Sequence, residues 1–175
     1  MSVTLHAPQA DEMPALQALE KAARGRYRDW PALAFIADRP PIALERLATG
    51  TVWVADHAGR TVGFILLQPQ DDQLYIANIS VAPEAAGQGI GAALLGQALA
   101  DARALGLGAL TLTTFKAPPW NGPWFRRHGY TPMSAERIGP TLRATVERQA
   151  ITVDPATREV LWRRVGDLLH LPTDP

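Results

Sequence analysis

The chain has 175 residues, 47% of them hydrophobic and 19% charged, enough for one domain with a sizeable core. Seventeen Lys and Arg balance seventeen Asp and Glu, so no net charge draws it to nucleic acid or an anionic membrane. Cysteine is absent, which excludes disulfides, thiolate metal sites and thiol nucleophiles.

Ser2–Ala7 alternates apolar and polar residues and reads as a short strand. Asp11 and Pro14 open a helix to about Arg24, with Leu16, Leu19 and Ala23 on one face. Gly25 to Gly50 is broken by Pro31 and Pro40-Pro41, with a helix expected over Ile42–Ala48. Thr51–Asp56 and Thr61–Gln68 are strands joined by a hairpin turn at His57–Arg60, and Asp71-Asp72 turns the chain into a third strand, Leu74–Val81.

The period then changes. From Gly89 to Leu105 apolar residues fall at Ile90, Leu94, Leu95, Ala98, Leu99, Ala102 and Leu105, the pattern of an amphipathic helix stopped by Gly106 and Gly108. Ala109–Thr113 is the next strand, which makes a strand–helix–strand crossover with parallel strands. A short helix near Trp120–His128, a strand near Tyr130, a helix near Thr141–Ala150 and a strand near Glu159–Arg164 follow. The fold class is α/β: a mixed, mostly antiparallel sheet with one central parallel βαβ crossover, flanked by helices.

Pro83–Ala92 links the third strand to the long helix and carries Gly87, Gly89 and Gly91 at alternate positions. Such a loop lets the backbone approach a ligand and aims N–H groups at it from a helix N-terminus, where the dipole favours an anion. A diphosphate fits there without a basic side chain; a packing turn with no ligand is the other reading of the loop taken alone. Walker A chemistry needs Gly-Lys-Ser/Thr, which is missing. A Rossmann fingerprint needs a third glycine where Leu94 stands and an acid where the next strand ends in Thr113-Thr114.

Ile79-Ser80-Val81-Ala82-Pro83 followed by Gly89-Ile90-Gly91-Ala92-Ala93-Leu94-Leu95 resembles the central motif of the GNAT N-acetyltransferases. Pro119–Tyr130 resembles that family's second CoA motif, Asn-x-x-ϕ-Tyr-x-x-x-Gly-Phe, and lies one helix and one strand further on. The resemblance implies a single N-acetyltransferase domain over 1–175, with its best-matching core at 3–133 and a helix–strand extension at 134–175. It implies acetyl-CoA wedged between the third strand and the strand after the long helix. Ile79, Ser80 and Val81 would bond the pantetheine arm and acetyl carbonyl. Backbone N–H groups of Gln88, Gly89, Ile90, Gly91 and Ala92 would cradle the pyrophosphate, and Asn121, Trp124 and Phe125 would meet the cofactor from the second motif. Arg126 and Arg127 are candidates for the 3′-phosphate, or solvated helix arginines.

Three positions depart from the family pattern. Ala86 and Gln88 replace the usual basic or amide residues of the loop, which removes a positive charge. Phe125 stands where relatives usually carry the tyrosine that protonates the leaving sulfur; a thiol of pKa about 8.5 leaves tolerably as thiolate without it. Ala77 and Asn78 occupy the middle of the third strand, where relatives often place a glutamate base. Glu20 on the first helix is then the candidate base, with Asn78 holding water or the amine.

The expected activity is transfer of an acetyl group from acetyl-CoA to a primary amine of a small molecule or peptide, by direct attack on the thioester. A CoA-binding module with weak or no turnover is the alternative. No metal is expected, since His6, His57, His128 and His170 lack ligand spacing. Neither a basic leader followed by an apolar run nor an apolar stretch of about 18–20 residues is present, so no membrane and a cytoplasmic location are expected. Only Lys21 and Lys116 are lysines among many Ala, Gly and Pro, a composition that suggests a bacterial source. Family resemblance adds a possible homodimer, with Leu161 and Trp162 of the last strand as contributors.

Overall fold

The computed structural model describes residues 2–167. The end of the expected C-terminal extension, residues 168–175 with His170, lies outside the described residues. The strands are β1 (Val3–His6), β2 (Thr51–His57), β3 (Arg60–Gln70), β4 (Gln73–Val81), β5 (Ala109–Phe115), β6 (Thr131–Pro132) and β7 (Arg158–Arg164). The helices are α1 (Met13–Arg24), α2 (Leu44–Leu47), α3 (Ile90–Ala104), α4 (Gly122–Arg127) and α5 (Pro140–Ala150). One seven-stranded sheet has the order β1-β2-β3-β4-β5-β7-β6. It is mostly antiparallel, with β4 and β5 the parallel pair, as the sequence pattern predicts.

The chain divides into two compact units, one formed by residues up to Gln68 with Ile76–Ala98, the other by Pro69–Tyr75 with the residues from Leu99 on. In the first, β1 pairs with β2 from Val3↔His57 to His6↔Val54, and β2 pairs with β3 from Thr51↔Leu67 to His57↔Arg60 across a bulge at Ala55/Asp56. The β2–β3 turn has φ 52° at Ala58 and φ 73° at Gly59, two successive left-handed residues that match the twist of a tight hairpin. Leu16, Ile42, Leu47, Val52, Phe64 and Leu66 form its core with Val54, and Met13, Leu19 and Ala77 pack against them.

In the second unit, β4 and β5 run parallel at Leu74↔Leu110 and Tyr75↔Thr111, and β5 pairs with β7 along its length, from Ala109↔Arg164 to Phe115↔Arg158. The short β6 adds Thr131↔Trp162 and Pro132↔Leu161. Gly106 closes α3: its φ is 68°, its N–H donates to Arg103 O, and Leu107 N–H reaches back to Ala102 O at 2.9 Å. This paired 5→2 and 6→1 closure satisfies carbonyls that the helix end leaves open.

Two features differ from expectation. The region from Gly25 holds two 3₁₀ stretches, Gly25–Asp29 and Pro31–Asp38, where proline had suggested irregular chain. Leu105, counted on the apolar stripe of the long helix, lies one residue past Ala104 and is 59% exposed. Once the helix stops, the 3.6-residue period no longer aims a side chain inward.

Candidate functional site

The segment between β4 and α3 is built from tight local turns. Ala82 N–H donates to Val62 O at 2.8 Å and ties the strand end to β3, and Pro83–Ala85 makes one 3₁₀ turn. Gly87 and Gly89 then take φ 76° and 79°, conformations that cost an L side chain about 1–2 kcal/mol. A Cβ built on either would meet nothing within 4 Å, so backbone conformation, and not crowding, selects glycine there. Gly63 on β3 is different: a Cβ would press on Ser80 O and on the Ile90 side chain at 3.0 Å, so this glycine lets the start of α3 sit close to the sheet.

The first bond of the α3 ladder runs from Ala93 N–H to Gly89 O at 3.0 Å. Ile90, Gly91 and Ala92 therefore present N–H groups ahead of the ladder, and no acidic side chain occupies the first turn. Gln88 is partly committed to the turn: its N–H donates to Ala85 O at 3.4 Å and its side-chain amide to Glu84 O at 3.2 Å. Residues 86–89 are exposed. The arrangement offers an anion a helix N-terminus and an open, side-chain-free approach.

On β4, alternation sends neighbouring side chains to opposite faces. Ala77 packs against the core cluster that contains Leu16 of α1, so Asn78 and Ser80 occupy the other face. There the Ser80 hydroxyl donates to Asn78 Oδ1 at 2.8 Å. Ile79 and Val81 are partly buried, Ser80 is buried.

Glu20 is buried on α1, 6% exposed, and both carboxylate oxygens are engaged. Arg24 Nε lies 2.7 Å from Oε1, and Arg24 Nη2 and Ile42 N–H donate to Oε2 at 3.1 and 3.0 Å. The same guanidinium donates to Ile36 O, Arg39 O and Pro40 O at 3.0, 3.2 and 2.9 Å. Glu20 thus holds the arginine that gathers the backbone of residues 36–42. Glu20 bonds the backbone of Ile42, whose side chain shares the core cluster with Ala77, while Asn78 bonds Ser80 on the other face of β4.

The second motif forms α4. Asn121 O accepts from Phe125 N–H at 3.1 Å, and Asn121 N–H donates to Pro118 O at 2.9 Å. Phe125 is buried, with its ring edge-on to Trp124 at 4.9 Å and to Tyr130 at 5.6 Å. Trp124 also lies against His128, ring centroids 4.3 Å apart, and His128 Nδ1 bonds Trp124 O at 2.8 Å. Burial holds the Tyr130 hydroxyl neutral, pushing its pKa up despite the nearby Arg163. Arg126 is ion-paired to Glu159.

A polar cluster on β4, β5, β7 and α5 has no motif in the sequence. The hydroxyls of Tyr75 and Thr113 are 3.2 Å apart, and Gln149 donates to the Tyr75 oxygen at 3.4 Å. Arg158 Nη2 donates to Thr113 Oγ1 at 2.8 Å and Gln149 Oε1 at 3.1 Å, and its guanidinium covers the Phe115 ring at 4.6 Å. Thr113, Gln149 and Arg158 border a cavity of about 340 Å³. Among the described residues, no group of three or more His, Cys, Asp or Glu is placed to hold a metal ion, and no helix is long and apolar enough to cross a membrane.

The fold is an α/β domain with a mixed sheet, whose fourth strand runs through a glycine turn into a helix N-terminus. Residues 48–132 match the family model described as an acetyltransferase (GNAT) domain, and that stretch is of the GNAT acetyltransferase superfamily. It is similar in fold to N-acetylglutamate synthase from Neisseria gonorrhoeae, solved with coenzyme A and N-acetyl-glutamate, at TM-score 0.71 and 21% identity. That match covers 95% of this chain but only 36% of the synthase. The ribosomal-protein-S18-alanine N-acetyltransferase from Escherichia coli matches at TM-score 0.65 and 14% identity, over 97% of this chain and 98% of that one. The PaiA N-acetyltransferase from Thermoplasma acidophilum, solved with coenzyme A, matches at 0.65 and 12%, over 94% and 99%.

Proposed function

We propose that residues 1–175 act as one N-acetyltransferase domain, moving an acetyl group from acetyl-CoA to a primary amine of a small molecule or peptide. The observation that carries this reading is the turn into α3, where Gly87 and Gly89 are left-handed and the N–H groups of Ile90, Gly91 and Ala92 stand ahead of the helix ladder. A pyrophosphate fits that donor set; with Gln88 half committed to its turn, the donors from Gly89 onward do most of the holding. Backbone groups of Ile79, Ser80 and Val81 would hold the pantetheine arm and polarise the acetyl carbonyl. Asn121, Trp124 and Phe125 are assigned to the same cofactor by their motif.

Bound acetyl-CoA supplies an acyl group already activated as a thioester. The chain then has to position an amine and accept its proton. Asn78 Oδ1 is taken by Ser80, which leaves its amide NH₂ to hold a water or the substrate. Glu20 remains a candidate for the proton, but it would have to release Arg24 or Ile42 to act. Relatives named for glutamate and for a ribosomal-protein alanine keep both amino-acid and protein acceptors in view.

The alternative, a CoA-binding module with little turnover, is favoured by Phe125, which has no proton to give. Calorimetric titration with acetyl-CoA, NAD and ATP tests the proposal. One-to-one acetyl-CoA binding, lost in Gly89→Glu/Gly91→Glu, is expected, followed by acetylation of a member of an amine panel. Binding without turnover of any amine would favour the module, and no binding of any CoA ester would overturn both.

A further inference from the structure

We infer that the cavity bordered by α5, β7 and the end of β5 binds an uncharged molecule with an apolar body and one carbonyl oxygen. Its volume, about 340 Å³, lies within the range of small-molecule pockets. Met133, Ile138, Val146, Ala150 and Val153 make its walls mostly apolar, so a hydrocarbon or aromatic body is desolvated there.

The charged side chains of the lining are engaged elsewhere. Glu159 is ion-paired to Arg126. Arg158 gives Nη2 to Thr113 Oγ1 and Gln149 Oε1, and its guanidinium lies over the Phe115 ring. Lys116 is exposed to solvent. A charged ligand would therefore lose its water without gaining a dedicated counter-ion, a cost that apolar walls do not offset.

The polar corner of the cavity has hydrogens to spare. Arginine only donates, so Gln149 turns Oε1 to Arg158 and its NH₂ to Tyr75, at 3.1 and 3.4 Å. The Tyr75 and Thr113 hydroxyls, 3.2 Å apart, hold two hydrogens and share one bond. The phenol is the more acidic donor, so Tyr75 gives its hydrogen to Thr113, and the Thr113 hydrogen is left over. The second hydrogen of the Gln149 amide is left over too. Both residues line the cavity, and the Thr113 oxygen already accepts from Tyr75 and Arg158. Neutral O–H and N–H donors of this kind complement an uncharged acceptor, such as the carbonyl of a ketone, ester or amide.

Every lining residue belongs to the second compact unit and none to the glycine turn, so the site stands whether or not acetyl-CoA binds. Ligand-observed NMR on the full chain compares four probes of similar shape: 4-phenyl-2-butanone, butylbenzene, 3-phenylpropanoate and 3-phenylpropylamine. The ketone is expected to bind one-to-one, and the acid and the ammonium at least about tenfold more weakly. Thr113→Val should weaken the ketone about fivefold, the loss of one neutral hydrogen bond, and leave butylbenzene unchanged. Ala150→Trp, at an exposed position of the lining, should weaken both by about tenfold or more.

Failure of the ketone to bind, or equal binding of either charged probe, would overturn the inference. So would unchanged ketone affinity in either variant, or a Thr113→Val loss shared equally by butylbenzene, which marks a general disturbance of the corner. Thermal unfolding curves check that both variants fold. Should Thr113→Val fail to fold, the ranking of the four probes on the parent chain still decides.

Discussion

Asp71 caps a helix that starts about seventy residues further along the chain: its Oδ1 accepts from Thr141 N–H at 3.2 Å, and its Oδ2 from Leu142 N–H at 3.4 Å. The helix's own N-cap position is Gly139, which has no side chain to offer, and a Cβ there would strike the Asp71 carboxylate. Turn and glycine are therefore one device. Desolvation by its neighbours pushes the pKa of the exposed Asp71 up, but the Thr141 hydroxyl and the two N–H donors together outweigh it and hold the group below its ordinary value.

A lowered folded-state pKa gives a definite sign. The cap contributes stability above the unfolded carboxylate pKa of about 3.9, and that contribution is lost as pH falls through the lower folded value. Asp71→Ala is expected to cost about 1 kcal/mol near neutral pH, the usual loss on removing a helix cap. Its penalty should shrink towards pH 2–3, as seen in urea unfolding across pH. Gly139→Ala should mimic it.

Ala58 predicts a gain. It holds φ 52° in the β2–β3 turn ahead of Gly59, a conformation that Asn adopts more readily than Ala. Ala58→Asn should stabilise the protein by about 0.5–1 kcal/mol without altering ligand binding. The check is a rise in the urea midpoint with the slope unchanged.

Glu20→Gln separates a structural from a catalytic carboxylate. Breaking a buried ion pair and leaving Arg24 uncompensated is expected to cost about 3 kcal/mol. Thermal unfolding should show this, and Glu20→Gln/Arg24→Met should recover part of it. Turnover per folded molecule should then stay within severalfold of the parent. A hundredfold fall in kcat with Tm unchanged would instead make Glu20 the base.

Loop glycines predict a split between strain and blockage. Gly89→Ala should destabilise by about 1–2 kcal/mol through its left-handed φ, yet its methyl enters open space and should weaken acetyl-CoA binding only modestly. Gly89→Glu adds the same strain with an anion beside the N–H groups, and should abolish binding. Equal loss in both would place the effect in loop shape and not in charge.

Local patterns carried much of this molecule. The alternation in Thr51–Asp56 and the 3.6-residue period after Gly89 announced β2 and α3 because each pattern lies in a single stretch of chain. Gly25–Asp38 was opaque for the same reason: its bonds span three residues, and no long apolar period survives between Arg24 and Pro40. The faces of β4 needed the structure, since alternation says that Ala77 and Asn78 point apart but not which one meets α1. The Tyr75, Thr113, Gln149 and Arg158 cluster was invisible for a different reason. Its members are 38, 45 and 74 residues apart in three of the contacts, and only strand order brings them together.

Lys116 has a further consequence. It is one of only two lysines in the chain, and it lies exposed at the border of the cavity between β5, β7 and α5. A slow, uncatalysed modification by acetyl-CoA would have just two side-chain amines to mark. The extent of labelling at Lys116 relative to Lys21 then compares the reactivity of the two amines within one molecule, read from a single peptide digest.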